Sequence, residues 1–288
     1  MAVNTEKNSY TIIFAIAMVV VVGSLLAFTA ASLKPNIDEN KRMEKQQNIL
    51  YAMGINGNEG DGDITFVSTD KVAQEFTAKV SEQIVLEVKD GKILNEITGE
   101  DFKNSTDADK GIEPYLIDVK KQQTRVKEGK SRYLPLFIGE NNGKKLYVAP
   151  IRGKGLWDAI WGYVALDKDM VVQGTFFDHA GETPGLGANI KQRYFMDDFY
   201  GEKLLTDAGV FKGITVAKGN NDPKNEIKDD YEVDALAGAT ITGDGVSAMI
   251  KKDLKLYLPY FMNLKNNNEK HGTTFKKRRK VNQQLLQS

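Results

Sequence analysis

The chain has no cysteine and only two histidines, His179 and His271. Without thiols there is no disulfide, no thiolate-ligated iron–sulfur cluster, no cysteine zinc site and no c-type haem attachment. Two imidazoles do not build a multi-histidine metal centre. An excess of one charge is missing as well. The 39 Lys plus Arg balance the 39 Asp plus Glu, so no net field marks the chain for nucleic acid. No Ser-His-Asp set or paired-carboxylate signature asks for hydrolysis. Redox chemistry on this chain therefore needs an organic cofactor.

What is present begins with an apolar run. Thr11 to Leu33 carries no charged residue, and a helix needs about 20 apolar residues to cross the hydrocarbon core. A cleaved signal peptide has a shorter apolar stretch, about 7–15 residues, behind a basic start. Here Glu6 precedes Lys7, although Ala30, Ala31 and Ser32 resemble a cleavage exit. The spacing predicts a tail over 1–10, a transmembrane helix over 11–33, one domain over 34–265 and a polar tail over 266–288. Lys34, Lys41, Arg42 and Lys45 follow the span, which by the positive-inside rule favours a cytoplasmic domain. Asp38, Glu39 and Glu44 dilute that cluster, and long domains escape the rule, so the side stays open on charge alone.

Beyond the span, Ile37 to Met53 has helical composition and Asn56 to Asp63 reads as a solvated loop lacking the EF-hand ladder. Three hairpins follow. Ile84–Lys89 and Lys92–Ile97 flank Asp90-Gly91; Leu134–Ile138 and Lys145–Ala149 flank Asn141-Asn142-Gly143; Gly162–Leu166 and Met170–Phe177 flank Asp167-Lys168-Asp169. Helices are predicted near Val72–Val80, Ile190–Phe199 and Val246–Leu258. The fold class expected is α+β, with an antiparallel sheet and flanking helices. The run Lys276-Lys277-Arg278-Arg279-Lys280 reads as a disordered basic tail, with anionic lipid or a neighbouring protein of a complex as the sharper alternative.

Four segments are denser in chemistry. In Gly153-Lys154-Gly155-Leu156-Trp157-Asp158, two glycines permit close backbone approach, and a strand-end turn is the plain reading. In His179-Ala180-Gly181-Glu182-Thr183-Pro184-Gly185-Leu186-Gly187, Pro184-Gly185 suits the centre of a type II turn that projects Thr183 and Leu186. His179 and Glu182 read as a surface pair. In Asp234 to Gly245, a strand over Tyr231–Leu236 runs through small residues into a helix from Val246. The amides of Gly243 to Val246 are then the expected anion site, Thr240 lies just before it, and Thr242 or Asp244 caps it. Phe176, Phe177, Tyr194 and Phe195 read as core aromatics rather than a ring sandwich.

Together Thr11–Leu33, GKGLWDAIWGYVALD at Gly153–Asp167, HAGETPGLG at His179–Gly187 and DALAGATITGDG at Asp234–Gly245 resemble the C subunit of the sodium-translocating NADH:quinone reductase. The likeness spans roughly Thr11 to Tyr260 and is stronger after Gly153. It implies FMN attached as a phosphoester by a flavin transferase within an Asp-x-x-Ser/Thr-Gly-Ala-Thr/Ser pattern. Asp234, Gly238 and Ala239 match that pattern and Thr240 is the acceptor, while Ala237 stands where Ser or Thr is usual. The cofactor-binding set expected is Thr240 with Gly155, Leu156, Trp157, Glu182, Thr183, Gly185, Leu186, Gly187, Gly238, Ala239 and Thr242, the FMN-binding part lying over about 84–258. The resemblance also implies a domain on the periplasmic side of a bacterial inner membrane. There it would relay electrons from an iron–sulfur centre in the membrane subunits to a second covalent FMN in the B subunit. The whole complex would reduce ubiquinone and export Na⁺, with no NADH site on this chain. The G subunit of Rnf electron-transport complexes shares the flavin pattern, and an anchored, flavin-free binding module is the reading from a different class.

Overall fold

In a computed structural model the described residues are 7–60, 62–107, 109–220 and 222–266. The basic run from Lys276 to Lys280 lies outside them. The chain divides into two compact units, one ending at Glu44 and the other beginning at Lys45.

The first unit is helical. Helix α1 (Asn8–Ala52) begins there, and an 18-residue window of mean hydropathy 2.7 makes it long and apolar enough to cross a membrane. The expectation of two helices, 11–33 and 37–53, is corrected: α1 runs on through Pro35. Proline removes one amide from the ladder but leaves the flanking turns able to hydrogen-bond, so a long helix can contain it at a cost.

The second unit takes in the last turns of α1, where Asn48 to Ala52 are buried. Then come α2 (Val72–Lys79), β1 (Val80–Lys89), β2 (Lys92–Thr98), α3 (Gly99–Lys103), α4 (Val119–Lys127), β3 (Arg132–Asn141), β4 (Lys144–Lys154), β5 (Ala159–Leu166) and β6 (Val172–His179). Next are α5 (Arg193–Asp197), β7 (Thr215–Val216), β8 (Glu232–Val233) and α6 (Thr240–Asp253). The six long strands form one antiparallel sheet ordered β2-β1-β3-β4-β5-β6. All three expected hairpins are there. Asp90 and Gly91 both take positive φ (49° and 72°), as do Asn142 and Gly143 (51° and 74°), the backbone that two-residue hairpin turns require.

Two expectations are corrected. The strand placed over Tyr231–Leu236 shrinks to β8, which pairs in parallel with β7. The helix placed over Ile190–Phe199 is a 3₁₀ turn (Gly187–Lys191) followed by the short α5. Phe177, Phe195 and Phe199 form a buried aromatic cluster there, with ring centroids 5.1 to 5.9 Å apart, while Tyr194 is exposed. Packing of those rings, rather than helical periodicity, sets the local backbone.

Helix α6 lies across β4. Val246, Met249, Ile250 and Leu254 are buried, and Asp253 accepts the Arg152 N–H at 2.9 Å. Gly153 allows this approach, because a Cβ there would come within 2.8 Å of the Met249 Cβ.

A buried acid after α5 gives a testable pH dependence. Glu202 is fully buried, with Lys228 Nζ 3.6 Å from one carboxylate oxygen. Burial pushes its pKa up to about 7, more than Lys228 pulls it down. The folded state then holds a proton that the unfolded chain has already released, so stability should fall as pH rises from about 4.5 to about 7 and level off above. In chemical denaturation, Glu202→Gln should flatten that slope and gain roughly 2–3 kcal/mol at pH 8. An unchanged slope would mean that the carboxyl is not the titrating group.

Candidate functional site

The β4–β5 turn, the loop after β6 and the start of α6 meet around one side chain. Glu182 is 4% exposed. Its Oε1 accepts the N–H groups of Trp157 (2.9 Å) and Asp158 (3.3 Å), and Oε2 accepts that of Leu156 (3.3 Å) and the Thr242 hydroxyl (2.6 Å). Burial pushes the Glu182 carboxyl up, but the Thr242 hydroxyl and the three amides outweigh it and hold the pKa below the usual glutamate value. The carboxylate is thus ionised at neutral pH and ties three chain segments together. The surface pair expected with His179 is corrected: the imidazole Nδ1 instead accepts the Glu182 backbone N–H at 3.2 Å.

Glycines make room for this carboxylate. A Cβ at Gly155 would sit 2.5 Å from Oε1, and one at Gly187 would sit 2.5 Å from Oε2 and 2.6 Å from the Thr242 hydroxyl oxygen. Both glycines are buried. Between them, the Thr183 carbonyl accepts the Leu186 and Ala188 N–H groups, each at 3.1 Å, and Gly185 takes φ +76°. That is the type II geometry expected for Pro184-Gly185. Thr183 and Gly185 are exposed on this turn.

The start of α6 differs from expectation. The helix begins at Thr240, six residues before Val246, with Ala239 at the N-cap and no side-chain cap. Thr242 does not cap the helix; it is buried and its hydroxyl is committed to Glu182. The first-turn amides that lack an intrahelical acceptor therefore belong to residues around Thr240 and Ile241, whereas Gly243 N–H already bonds Ala239. Just before the helix, Ala239 N–H bonds the Leu236 carbonyl (3.0 Å) across a turn in which Gly238 has φ +68°. A side chain at 238 would be strained and would meet the Leu186 side chain at 2.8 Å.

Thr240 is exposed at this helix start. Large apolar side chains are exposed on the three segments that Glu182 joins: Leu156 (45%), Trp157 (67%), Leu186 (41%) and Ile241 (57%). These four side chains stand on the segments that the one carboxylate ties together. Sequence patterns do not single out Ile241, nor the keystone role of Glu182. A lone isoleucine inside a run of small and polar residues is the available signal. Among the described residues, no cluster of metal-binding side chains occurs.

Comparison with known proteins bears on the same residues. Residues 155–255 match the FMN-binding domain family. Over 251 residues the chain is 30% identical to the C subunit of the Na⁺-translocating NADH-quinone reductase of Pseudomonas aeruginosa, covering 86% of this chain and 91% of that one. The C subunit from Neisseria meningitidis serogroup A is 27% identical over 273 residues, or 92% and 98% of the two chains. The crystal structure of the C subunit from Parabacteroides distasonis superimposes with a TM-score of 0.61 at 27% identity, covering 80% of this chain and 96% of that one.

Proposed function

The chain belongs to the C-subunit family of the Na⁺-translocating NADH-quinone reductase, and on that premise we propose that it carries FMN esterified through phosphate to Thr240 and relays electrons within such a complex. Membership makes it a flavin-bearing component of a membrane oxidoreductase, and α1 fits a single span of the inner membrane. One observation carries the residue assignment. Thr240 is an exposed hydroxyl at the first residue of α6, behind a positive-φ glycine turn in which a side chain would be strained.

The surrounding residues suit the cofactor. First-turn N–H groups of α6 favour an anionic group attached there, and Leu156, Trp157 and Leu186 supply an apolar surface for a ring system. Bound FMN supplies reversible uptake and release of electrons; the chain supplies position and electrostatics. Glu182 is a positioning residue, holding the Trp157 turn against α6 without bond-making chemistry of its own. The domain over 34–265, with its flavin part over about 84–258, is assigned to the periplasmic side. Its electron donor is an iron–sulfur centre of the membrane subunits and its acceptor the second flavin, in the B subunit, with ubiquinone reduction and Na⁺ export performed by the whole complex. The NADH site lies on another protein of the complex, and a flavin transferase installs the FMN.

Peptide mass spectrometry of native material is the test. The peptide containing Thr240 should carry the mass of an FMN phosphoester, and an unmodified peptide throughout would end the assignment. Protease added outside cells with a permeabilised outer membrane should digest the domain; complete protection would place it in the cytoplasm. For the ring surface, Leu186→Ala or Trp157→Ala should shift the flavin absorbance or potential without releasing the cofactor. Unchanged spectra and potentials in both variants would move the ring elsewhere.

A further inference from the structure

A concavity of about 610 Å³ lies between α4, the end of β4, the Trp157-Asp158 turn and the last turns of α6. Six cationic residues line it, Lys120, Lys127, Arg132, Arg152, Lys154 and Lys252, against the single carboxylate of Asp158. In a chain whose charges balance overall, this is a strong local segregation. Lys120, Gln123, Thr124 and Lys127 recur at i, i+3, i+4 and i+7, so α4 presents one polar stripe to the cleft. Among the described residues, only Arg132 of the six cations makes an ion pair.

Arg132 distinguishes this cleft from a solvated basic patch. It is 5% exposed, and its Nε–H has no hydrogen-bond partner among the described residues. Its carboxylate neighbour there is Asp253, 3.6 Å from Nη2 and beyond hydrogen-bond reach. The other Asp253 oxygen is occupied by the Arg152 N–H (2.9 Å) and the Gln123 amide (3.4 Å). A buried guanidinium with an unmet donor is costly unless something completes it. Arg132 lines the cleft, so its guanidinium adds to the positive field that an anionic ligand there would meet. The volume falls within the range of about 300–1,000 Å³ usual for small-molecule sites. Guanidinium and ammonium groups together match phosphate oxygens.

From the buried, incompletely bonded Arg132 at the base of this cation-lined cleft, we infer that the domain has a second ligand site that takes a phosphate-bearing small molecule, separate from the Thr240 attachment point. The site does not depend on the flavin assignment.

Titration calorimetry on the detergent-solubilised full chain, with inorganic pyrophosphate at constant ionic strength, tests it. One saturable site is expected, weakened about ten-fold by Lys154→Gln with Lys252→Gln and unchanged by Lys92→Gln with Lys144→Gln on the far hairpins. Arg132→Met should abolish it, and the lysine pair keeps the test sound if that variant does not fold. Binding should persist in Thr240→Ala, and its loss there would merge this site with the flavin's. Phosphatidylglycerol vesicles that compete with pyrophosphate in the parent chain, but not in the Lys154/Lys252 variant, would assign the same phosphate chemistry to a lipid headgroup. No saturable binding up to about 10 mM would overturn the inference. So would equal affinity in the lysine-pair variant, or an oligoglutamate peptide binding there more tightly than pyrophosphate.

Discussion

Thr240→Ala should abolish flavin fluorescence on a denaturing gel, a complete loss rather than a graded one, because the only bond that survives denaturation is the covalent one. Stability should change little, since Thr240 is exposed and makes no cap. Thr242→Ala should behave in the opposite way. Its hydroxyl is buried and donates to the Glu182 carboxylate at 2.6 Å, so fluorescence should persist while stability drops by roughly 1.5–3 kcal/mol, as for other hydrogen bonds to charged groups. The two threonines are thus separated by access: a modifying enzyme can reach one hydroxyl and not the other. Covalent fluorescence that survives in Thr240→Ala would remove the acceptor role from this residue. Its disappearance in Thr242→Ala alone would pass the role to that neighbour.

Glu182→Ala should be the most destabilising single change in the site. It leaves the part-buried N–H groups of Leu156, Trp157 and Asp158 and the buried hydroxyl of Thr242 without their acceptor, with an expected loss of roughly 3–5 kcal/mol by denaturant titration. Glu182→Gln should cost less, because it keeps the volume and one acceptor oxygen while turning an amide donor towards other donors. The sign of the pH effect follows from the depressed pKa. A carboxyl ionised more readily in the folded state contributes stability that is fully present above its unfolded value of 4.5 and lost as pH falls through the folded value. The parent chain should therefore lose this contribution on acidification below about 4.5, and the glutamine variant should not. A parent and variant with parallel stability curves at low pH would show that Glu182 is not the ionised keystone described here. A flavin spectrum unchanged in Glu182→Ala would show that the Trp157 turn does not bear on the ring.

Much of the sheet was legible because turn chemistry is local. Asp90-Gly91 and Asn142-Gly143 can adopt positive φ at low cost, and the strands beside them must then pair antiparallel. Pro184-Gly185 was legible for the same reason. The helix start was not. Small residues and threonines over Ala237 to Thr242 allow either an extended run or a helix, and packing decided it. Thr242 turns inward to Glu182, Gly243 packs within 3.0 Å of the Val216 side chain when given a Cβ, and the first turn forms six residues earlier than side-chain periodicity implied. Likewise β8 is shorter than alternation suggests, because Val233 and Leu236 are buried around a short parallel pairing that alternation alone cannot distinguish from a longer strand.

Beyond the segment that family resemblance points to for a flavin-bearing threonine, the amino-acid order alone determined the apolar span, the hairpins and the lack of any thiol. These depend on composition or on interactions between residues a few positions apart, which a linear reading can evaluate. The tertiary structure alone decided that Glu182 is the buried tie between three distant segments, that Thr242 is inaccessible while Thr240 is exposed, and that Arg132 sits incompletely bonded at the base of a cation-lined cleft. Each of those depends on desolvation and on partners from 24 to 121 positions away. Burial is a property of the folded surface, and whether a carboxylate is a solvated side chain or a keystone is settled only when the groups around it have excluded water.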